Sequence, residues 1–351
     1  MGFGTCPYGT FTLQKYSVSL YRIGCPCRVH TLYMTIMSAN RRHAACTRRY
    51  QQSRKMEKIA HEILTIELAE EVESISQIMD LGSVNNVYDV KCKGGNYVVR
   101  INRDKNKEFE FWKEKWCIEK VAKLNIPSPE VLKVGMKEQF PFMILNKIEG
   151  TNGSKCSPNE KLLIWENLGK YAKIFHSIKE IEDLNIATDE FHSNWRSKLE
   201  YNINELSEND SLLEKKAFTN YEQEKIRNIL IELRDQKFNE GLVHGDLCPR
   251  NVIYDNHYVF LLDWGTSGIN IVPHSEIGLV QMENQYTENE FNSFLLGMGI
   301  LPVEYKEIEN EIKQLNLLDR LDKFRWADGS EIVEVDEYIL KLRTAYEKLI
   351  N

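Results

Sequence analysis

Two carboxylates and a carboxamide stand close together in this chain. Asp246 and Asn251 lie in Val243-His244-Gly245-Asp246-Leu247-Cys248-Pro249-Arg250-Asn251, and Asp263 follows in Leu261-Leu262-Asp263-Trp264-Gly265. Such a set suits phosphoryl transfer. That reaction needs an acceptor hydroxyl in line with a γ-phosphate, a carboxylate to take its proton, and one or two Mg²⁺ ions to neutralise the leaving phosphates. Mg²⁺ prefers oxygen ligands and usually takes only one or two protein carboxylates, with phosphate and water completing its shell. Asp246 fits the catalytic base; Asn251 and Asp263 fit the metal ligands.

The intervening residues supply an element that would position them. Val252-Ile253-Tyr254, the turn Asp255-Asn256-His257, and Tyr258-Val259-Phe260-Leu261-Leu262 read as a β-hairpin that brings Asn251 and Asp263 together. Asp and Asn are ordinary turn formers one at a time. The argument rests on spacing, hairpin and apolar flanks agreeing.

Asp246 and Asn251 are five residues apart and Asp263 comes twelve later, as in the catalytic and metal-binding loops of kinases. These residues resemble the aminoglycoside phosphotransferase and choline kinase group of small-molecule kinases, whose hallmark is H-G-D-x-x-x-x-N followed by I-D-W. His244-Gly245-Asp246 stands where protein kinases have H-R-D, Asp263-Trp264-Gly265 where they have D-F-G, and no A-P-E segment follows. The resemblance spans about residue 60 to the C-terminus. It implies an α+β, protein-kinase-like two-lobed fold: an N-lobe of antiparallel sheet plus helix over 56–149, and a mostly helical C-lobe over 150–351.

The resemblance also implies nucleotide contacts. Gly82-Ser83-Val84-Asn85-Asn86-Val87-Tyr88 is similar to the family's nucleotide loop, with Ser83 and Val84 beside the phosphates, although an ordinary hairpin would read the same way. Arg100 interrupts the apolar strand Tyr97-Val98-Val99-Arg100-Ile101, where kinases place a phosphate-holding Lys; an edge-strand Arg reaching solvent is the other reading. On the amphipathic helix Lys107 to Leu124, Glu114 shares the apolar side with Phe111, Ile118 and Val121, whereas Glu110 sits among Lys107 and Lys113. Glu114 is therefore the expected partner of Arg100.

Asn125-Ile126-Pro127-Ser128-Pro129-Glu130-Val131 is similar to the family's P-x-P-x-V step into the next strand, and Phe140 to Leu145 runs into Asn146-Lys147-Ile148-Glu149-Gly150, similar to its interlobe hinge. That implies Leu145 as gatekeeper and the backbones of Asn146 and Ile148 as purine contacts. His176, ending the helix from Leu162, and His244 are read as structural. Cys248 stands where protein kinases often have a Lys that steadies the γ-phosphate, with Arg250 as the alternative phosphate contact. Further helices are expected over Trp195 to Leu206, Tyr221 to Asn239, Glu288 to Leu296, Val303 to Leu315, Leu318 to Ala327 and Val335 to Ile350.

Composition divides the chain. The first 55 residues hold nine Lys or Arg and no acid; the remainder holds 36 basic and 52 acidic residues, a net −16 hidden in the overall −7. An organellar transit peptide, a nucleic-acid or membrane-attracted arm, and an extension foreign to the native protein all fit this leader. The helix beginning at Met56, with Ile59, Ile63 and Ile66 at helical spacing, favours Met56 as the natural start. Scattered cysteines without C-x-x-C or metal spacing, and no long apolar run, point to the cytoplasm, with no membrane partner and no nucleic-acid partner for the core.

The functional expectation is an ATP- or GTP-dependent, Mg²⁺-requiring transfer of the γ-phosphate to a hydroxyl of a small molecule. The acidic core favours an aminoglycoside-like or choline-like cation. Macrolide, homoserine, sugar and fructosamine acceptors stay open, as does a catalytically silent nucleotide-binding protein of the same fold. Retention of Asp246, Asn251 and Asp263 argues against silence.

Overall fold

The computed structural model describes residues 54–78, 85–181, 194–283, 286–330 and 334–350. The chain divides into units 1–55 and Met56–Asn351, and every strand among the described residues lies in the second. It is mixed α+β, with an antiparallel sheet first and mostly helices after it.

Helix α1 (residues 54–67) precedes β1 (Val72–Ile78), β2 (Asn85–Cys92) and β3 (Asn96–Asn102). Then come α2 (Glu108–Lys123), β4 (Val131–Lys137) and β5 (Phe140–Asn146). The five strands form one antiparallel sheet in the order β1-β2-β3-β5-β4. Both faces are covered, which explains why β5 is buried from Phe140 to Leu145 without a polar break. Alternation along the strands sorts the side chains. Val99, Ile101, Phe142 and Ile144 pack with Met56, Ile59, Ile63 and Leu64 of α1, while Met143 and Leu145 pack with Phe111, Cys117, Ile118 and Val121 of α2. The buried stripe of α1 thus uses Ala60 and Leu64 where the sequence reading had Ile66, which is 62% exposed.

The same alternation places Arg100. It lies between Val99 and Ile101 and opposite Met143, so it points to the α2 face, where Glu114 is buried.

Beyond β5 the chain makes the short β6 (Thr151–Asn152), α3 (Pro158–Phe175), α4 (Trp195–Glu205), α5 (Ser211–Glu214) and α6 (Asn220–Arg234). Strands β7 (Asn239–Val243), β8 (Val252–Tyr254), β9 (Val259–Leu261) and β10 (Gly268–Val272) then frame the predicted catalytic segment. The chain continues through α7 (His274–Glu283), α8 (Glu288–Met298), α9 (Pro302–Asp328) and α10 (Val335–Ile350). Helices α3 and α8 cross at Gly169 and Gly297, so closely that a Cβ on either would come within 2.0 Å of a backbone oxygen of the other helix.

Two expectations are corrected. The helix expected to reach Asn239 ends at Arg234, and residues 239–243 pair with β10 as a strand. The helices expected over 303–315 and 318–327 are one 27-residue helix, since no Gly or Pro separates them and Leu317 and Leu318 continue its buried stripe. The segment after Asp263-Trp264 forms β10 and α7.

Candidate active site

Strands β7 and β10 pair in register Val243↔Gly268, so the loops after β7 and before β10 face each other. The first loop carries Asp246 and Asn251. Gly245 there has φ +84, and a Cβ on it would lie 2.6 Å from the Thr266 carbonyl oxygen, so the approach of the two loops requires glycine. The β8–β9 hairpin pairs Val252 with Leu261, and the Leu262 N–H donates to the Asn251 carbonyl (2.9 Å). Asn251 and Asp263 are therefore on adjoining rungs of the hairpin base. Its turn is set by the Asp255 carboxylate, which accepts from the N–H groups of His257 and Tyr258.

The Asp246 carboxylate is held from two sides. Asn251 Nδ2 donates to its Oδ2 (2.9 Å) and to its backbone carbonyl (2.9 Å), and Arg250 donates to its Oδ1 (2.5 Å). Each carboxylate oxygen has two lone pairs, so these bonds leave acceptor capacity for a hydroxyl proton. The same contacts turn Asn251 so that its Oδ1 stays free of any hydrogen bond among the described residues.

Asp263 adopts a left-handed conformation, φ 60 and ψ 68. One of its oxygens accepts from Arg100 (3.1 Å) and the other has no hydrogen-bond donor among the described residues. Arg100 also donates to Glu114, completing a chain from α2 through β3 to the metal-ligand candidate. Burial is the largest influence on both groups of this pair. It raises the Glu114 carboxyl, with Arg100 and the Trp264 N–H pulling it back; it lowers the guanidinium, but Glu114 and Asp263 together outweigh it and raise Arg100. Glu110 instead pairs with Lys107.

Two free oxygens, the Asn251 amide and one from Asp263, suit Mg²⁺ and fit an ion that takes the rest of its shell from phosphate and water. Among the described residues no group of three or more His, Cys, Asp or Glu forms an all-protein metal cage.

His244 and His176 have structural contacts. The fully buried His244 donates from Nε2 to the Leu262 carbonyl (2.9 Å), accepts the Asp246 N–H at Nδ1 (3.3 Å), and packs on Trp264. One ring nitrogen donating and one accepting is the neutral form. Glu276, which the sequence reading missed, is fully buried on α7 and accepts the backbone N–H groups of His244 (2.7 Å) and Gly245 (3.2 Å), with His176 Nε2 3.7 Å away. It anchors the loop that carries Asp246 by its backbone. The only sequence signal was an acid thirteen residues after Asp263, and its meaning depends on the β7–β10 pairing. Cys248 is buried beside Asp246, and burial, then that carboxylate, push its thiol up to about 12, so it is no thiolate nucleophile.

At the hinge, the Asn146 N–H donates to the Glu130 carbonyl (3.1 Å) and its side chain accepts the Glu130 N–H. Of its backbone groups, only the carbonyl can then serve a ligand. The Ile148 N–H meets no acceptor among the described residues. Leu145 is buried against α2. Ser83 and Val84 lie outside the described residues.

Solved structures share this architecture. ADP-bound aminoglycoside phosphotransferase APH(2'')-Ib aligns with a TM-score of 0.58 at 20% identity, covering 83% of this chain and 96% of that one. The choline kinase LicA from Streptococcus pneumoniae aligns at 0.54 and 19%, covering 84% and 99%. The GDP and kanamycin complex of APH(2")-IIia aligns at 0.58 and 13%, covering 82% and 96%. At such identities the likeness establishes the protein-kinase-like fold, and no curated protein sequence matches the chain. The family's sequence model, however, matches residues 77–296, from β1 through the catalytic loop, Asp263 and Glu276 to α8, so the chain belongs to the phosphotransferase enzyme family.

Proposed function

We propose that this phosphotransferase uses ATP or GTP with Mg²⁺ to phosphorylate a hydroxyl of a small, cationic molecule, aminoglycoside-like or choline-like. The observation that carries the reading is the Asp246 carboxylate fixed by the Asn251 amide, with Asn251 itself one hairpin rung from Asp263. Asp246 takes the proton of the acceptor hydroxyl and thereby raises its nucleophilicity toward the γ-phosphorus. Asn251 Oδ1 and the free Asp263 oxygen hold Mg²⁺, which when bound neutralises charge on the phosphates. Arg100, shared between Glu114 and Asp263, sets one cation beside the metal and phosphate site, and Arg250 supplies a second beside the base. The Asn146 carbonyl and the Ile148 N–H offer a purine one acceptor and one donor, and residues 83 and 84 belong to the proposed phosphate loop.

Three of the similar structures bear on the acceptor by what they hold or are named for: kanamycin in one, spectinomycin in another, choline in the name of a third. The net −16 of residues 56–351 supports a cation here too. No helix among the described residues is long and apolar enough to cross a membrane, and buried free cysteines accord with the cytoplasmic location we assign. The test is nucleoside diphosphate release, with and without Mg²⁺, across a panel of aminoglycosides, choline, ethanolamine and the amine-bearing fructosamines and macrolides, with zwitterionic homoserine and simple sugars as acceptors without net positive charge. Metal-dependent release stimulated by a cationic acceptor supports the reading. Release stimulated only by a neutral acceptor rejects the cationic assignment, and metal-dependent nucleotide binding with no transfer to any acceptor favours the silent alternative.

A further inference from the structure

The loop that carries Asp263 is tied to α2 by a side chain outside the chemistry described so far. Lys113 precedes Glu114 and is only 8% exposed, and its ammonium donates to the backbone carbonyls of Gly265 (2.7 Å) and Ser267 (3.2 Å). Burying an ammonium is costly unless its donors are satisfied, and here the loop backbone accepts from it at two carbonyls. One helical turn on, Cys117 Sγ lies 3.2 Å from Ser267 Oγ. The Ser267 hydroxyl donates to the Trp264 carbonyl (2.6 Å), which makes the thiol the donor to Ser267. Residues 113, 114 and 117 thus grip Gly265 and Ser267 and, through Arg100, Asp263 itself. The left-handed backbone of Asp263 costs a non-glycine residue free energy and persists where neighbours over-determine it.

We propose that Lys113 is a positioning residue: by fixing the Gly265–Ser267 backbone it keeps Asp263 in the conformation that presents its free oxygen to Mg²⁺, so the seating of α2 sets metal affinity. This rests on the phosphotransfer reading. Glu114 and Arg100 hold the carboxylate from one side; Lys113 holds the backbone behind it.

The test is calorimetric binding of ATP and of GTP to the full chain, with and without Mg²⁺, for wild type and Lys113→Met, which keeps a long side chain but removes every donor. Metal-free affinity should be unchanged. The gain in affinity on adding Mg²⁺ should shrink by about tenfold, within the range seen when supporting residues of metal sites are removed. Lys113→Arg, whose fork can donate to both carbonyls, should recover part of the gain, which a purely structural role would not produce. Should Lys113→Met not fold, Lys113→Gln, whose amide is shorter and uncharged, takes its place with the same expectation. An undiminished Mg²⁺ gain in the Met or Gln variant overturns the proposal alone. No Mg²⁺ gain in wild type overturns the phosphotransfer reading and the proposal with it.

Discussion

At the scale of residues, the site is a set of charges that hold one another in place. Arg100 is shared between Glu114 and Asp263, so Arg100→Ala should weaken Mg²⁺-nucleotide binding, and Glu114→Ala should act in the same direction by releasing the fork. A double-mutant cycle on nucleotide affinity should give a coupling of about 0.5–3 kcal/mol; strict additivity would detach Glu114 from the site. Glu110→Ala, whose partner is Lys107, should change little. Asp246, Asn251, Asp263, Arg100 and Glu114 were legible because each depends on local spacing or on one strand or helix period. Glu276 and Lys113 were not. The first acts on backbone N–H groups about thirty residues upstream, and the second on carbonyls about 150 residues downstream, so neither leaves a local pattern.

At the scale of elements, what was legible tracks how much each element depends on neighbours. The β8–β9 hairpin and α2 were read within a residue or so, since turn chemistry and a 3.6-residue stripe are local. The β7–β10 pair was missed because Asn239-Glu240-Gly241 has poor strand character by itself and is ordered by pairing with residues 270–272. Helix α6 shows local rules at work. Thr219 and Glu222 form a capping box, and Arg343 of α10 reaches the same carboxylate (3.0 Å). Thr219→Ala should cost about 1 kcal/mol in denaturant unfolding at neutral pH. The Thr219 backbone N–H is the largest cause holding the Glu222 carboxyl below the usual range, with Arg343 adding to it. A carboxyl lowered by folding contributes stability above its unfolded pKa, and that contribution is lost as pH falls through the lowered folded value. The deficit of Glu222→Gln should accordingly be present at neutral pH and fade in acid; a deficit that grew in acid would contradict this account.

At the scale of the whole molecule, the composition break falls where the chain divides into its two units, between Lys55 and Met56. The α1 stripe that packs on the sheet begins with Met56. Deletion of residues 1–55 should therefore leave the melting temperature and nucleotide affinity of the remaining chain close to those of the full protein, and a truncated chain that fails to fold would contradict this. The large core runs without a break from Phe111 and Leu145 to Trp264 and Phe294, so the sheet with α2 and the loops carrying Asp246 and Asp263 are packed together. That continuity is why α2 can position Asp263.

The central claim, that Asp246 is the base and Asp263 a metal ligand, is tested most directly by comparing Asp246→Asn with Asp263→Asn on an acceptor identified from the panel. Asp246→Asn keeps the shape and removes the proton acceptor, so turnover should fall by about 10²–10⁴-fold while Mg²⁺-nucleotide affinity is retained. Asp263→Asn should instead raise the Mg²⁺ concentration needed for half-maximal turnover, because a neutral amide is a poorer ligand than a carboxylate. Full turnover by Asp246→Asn would contradict the mechanism at its centre.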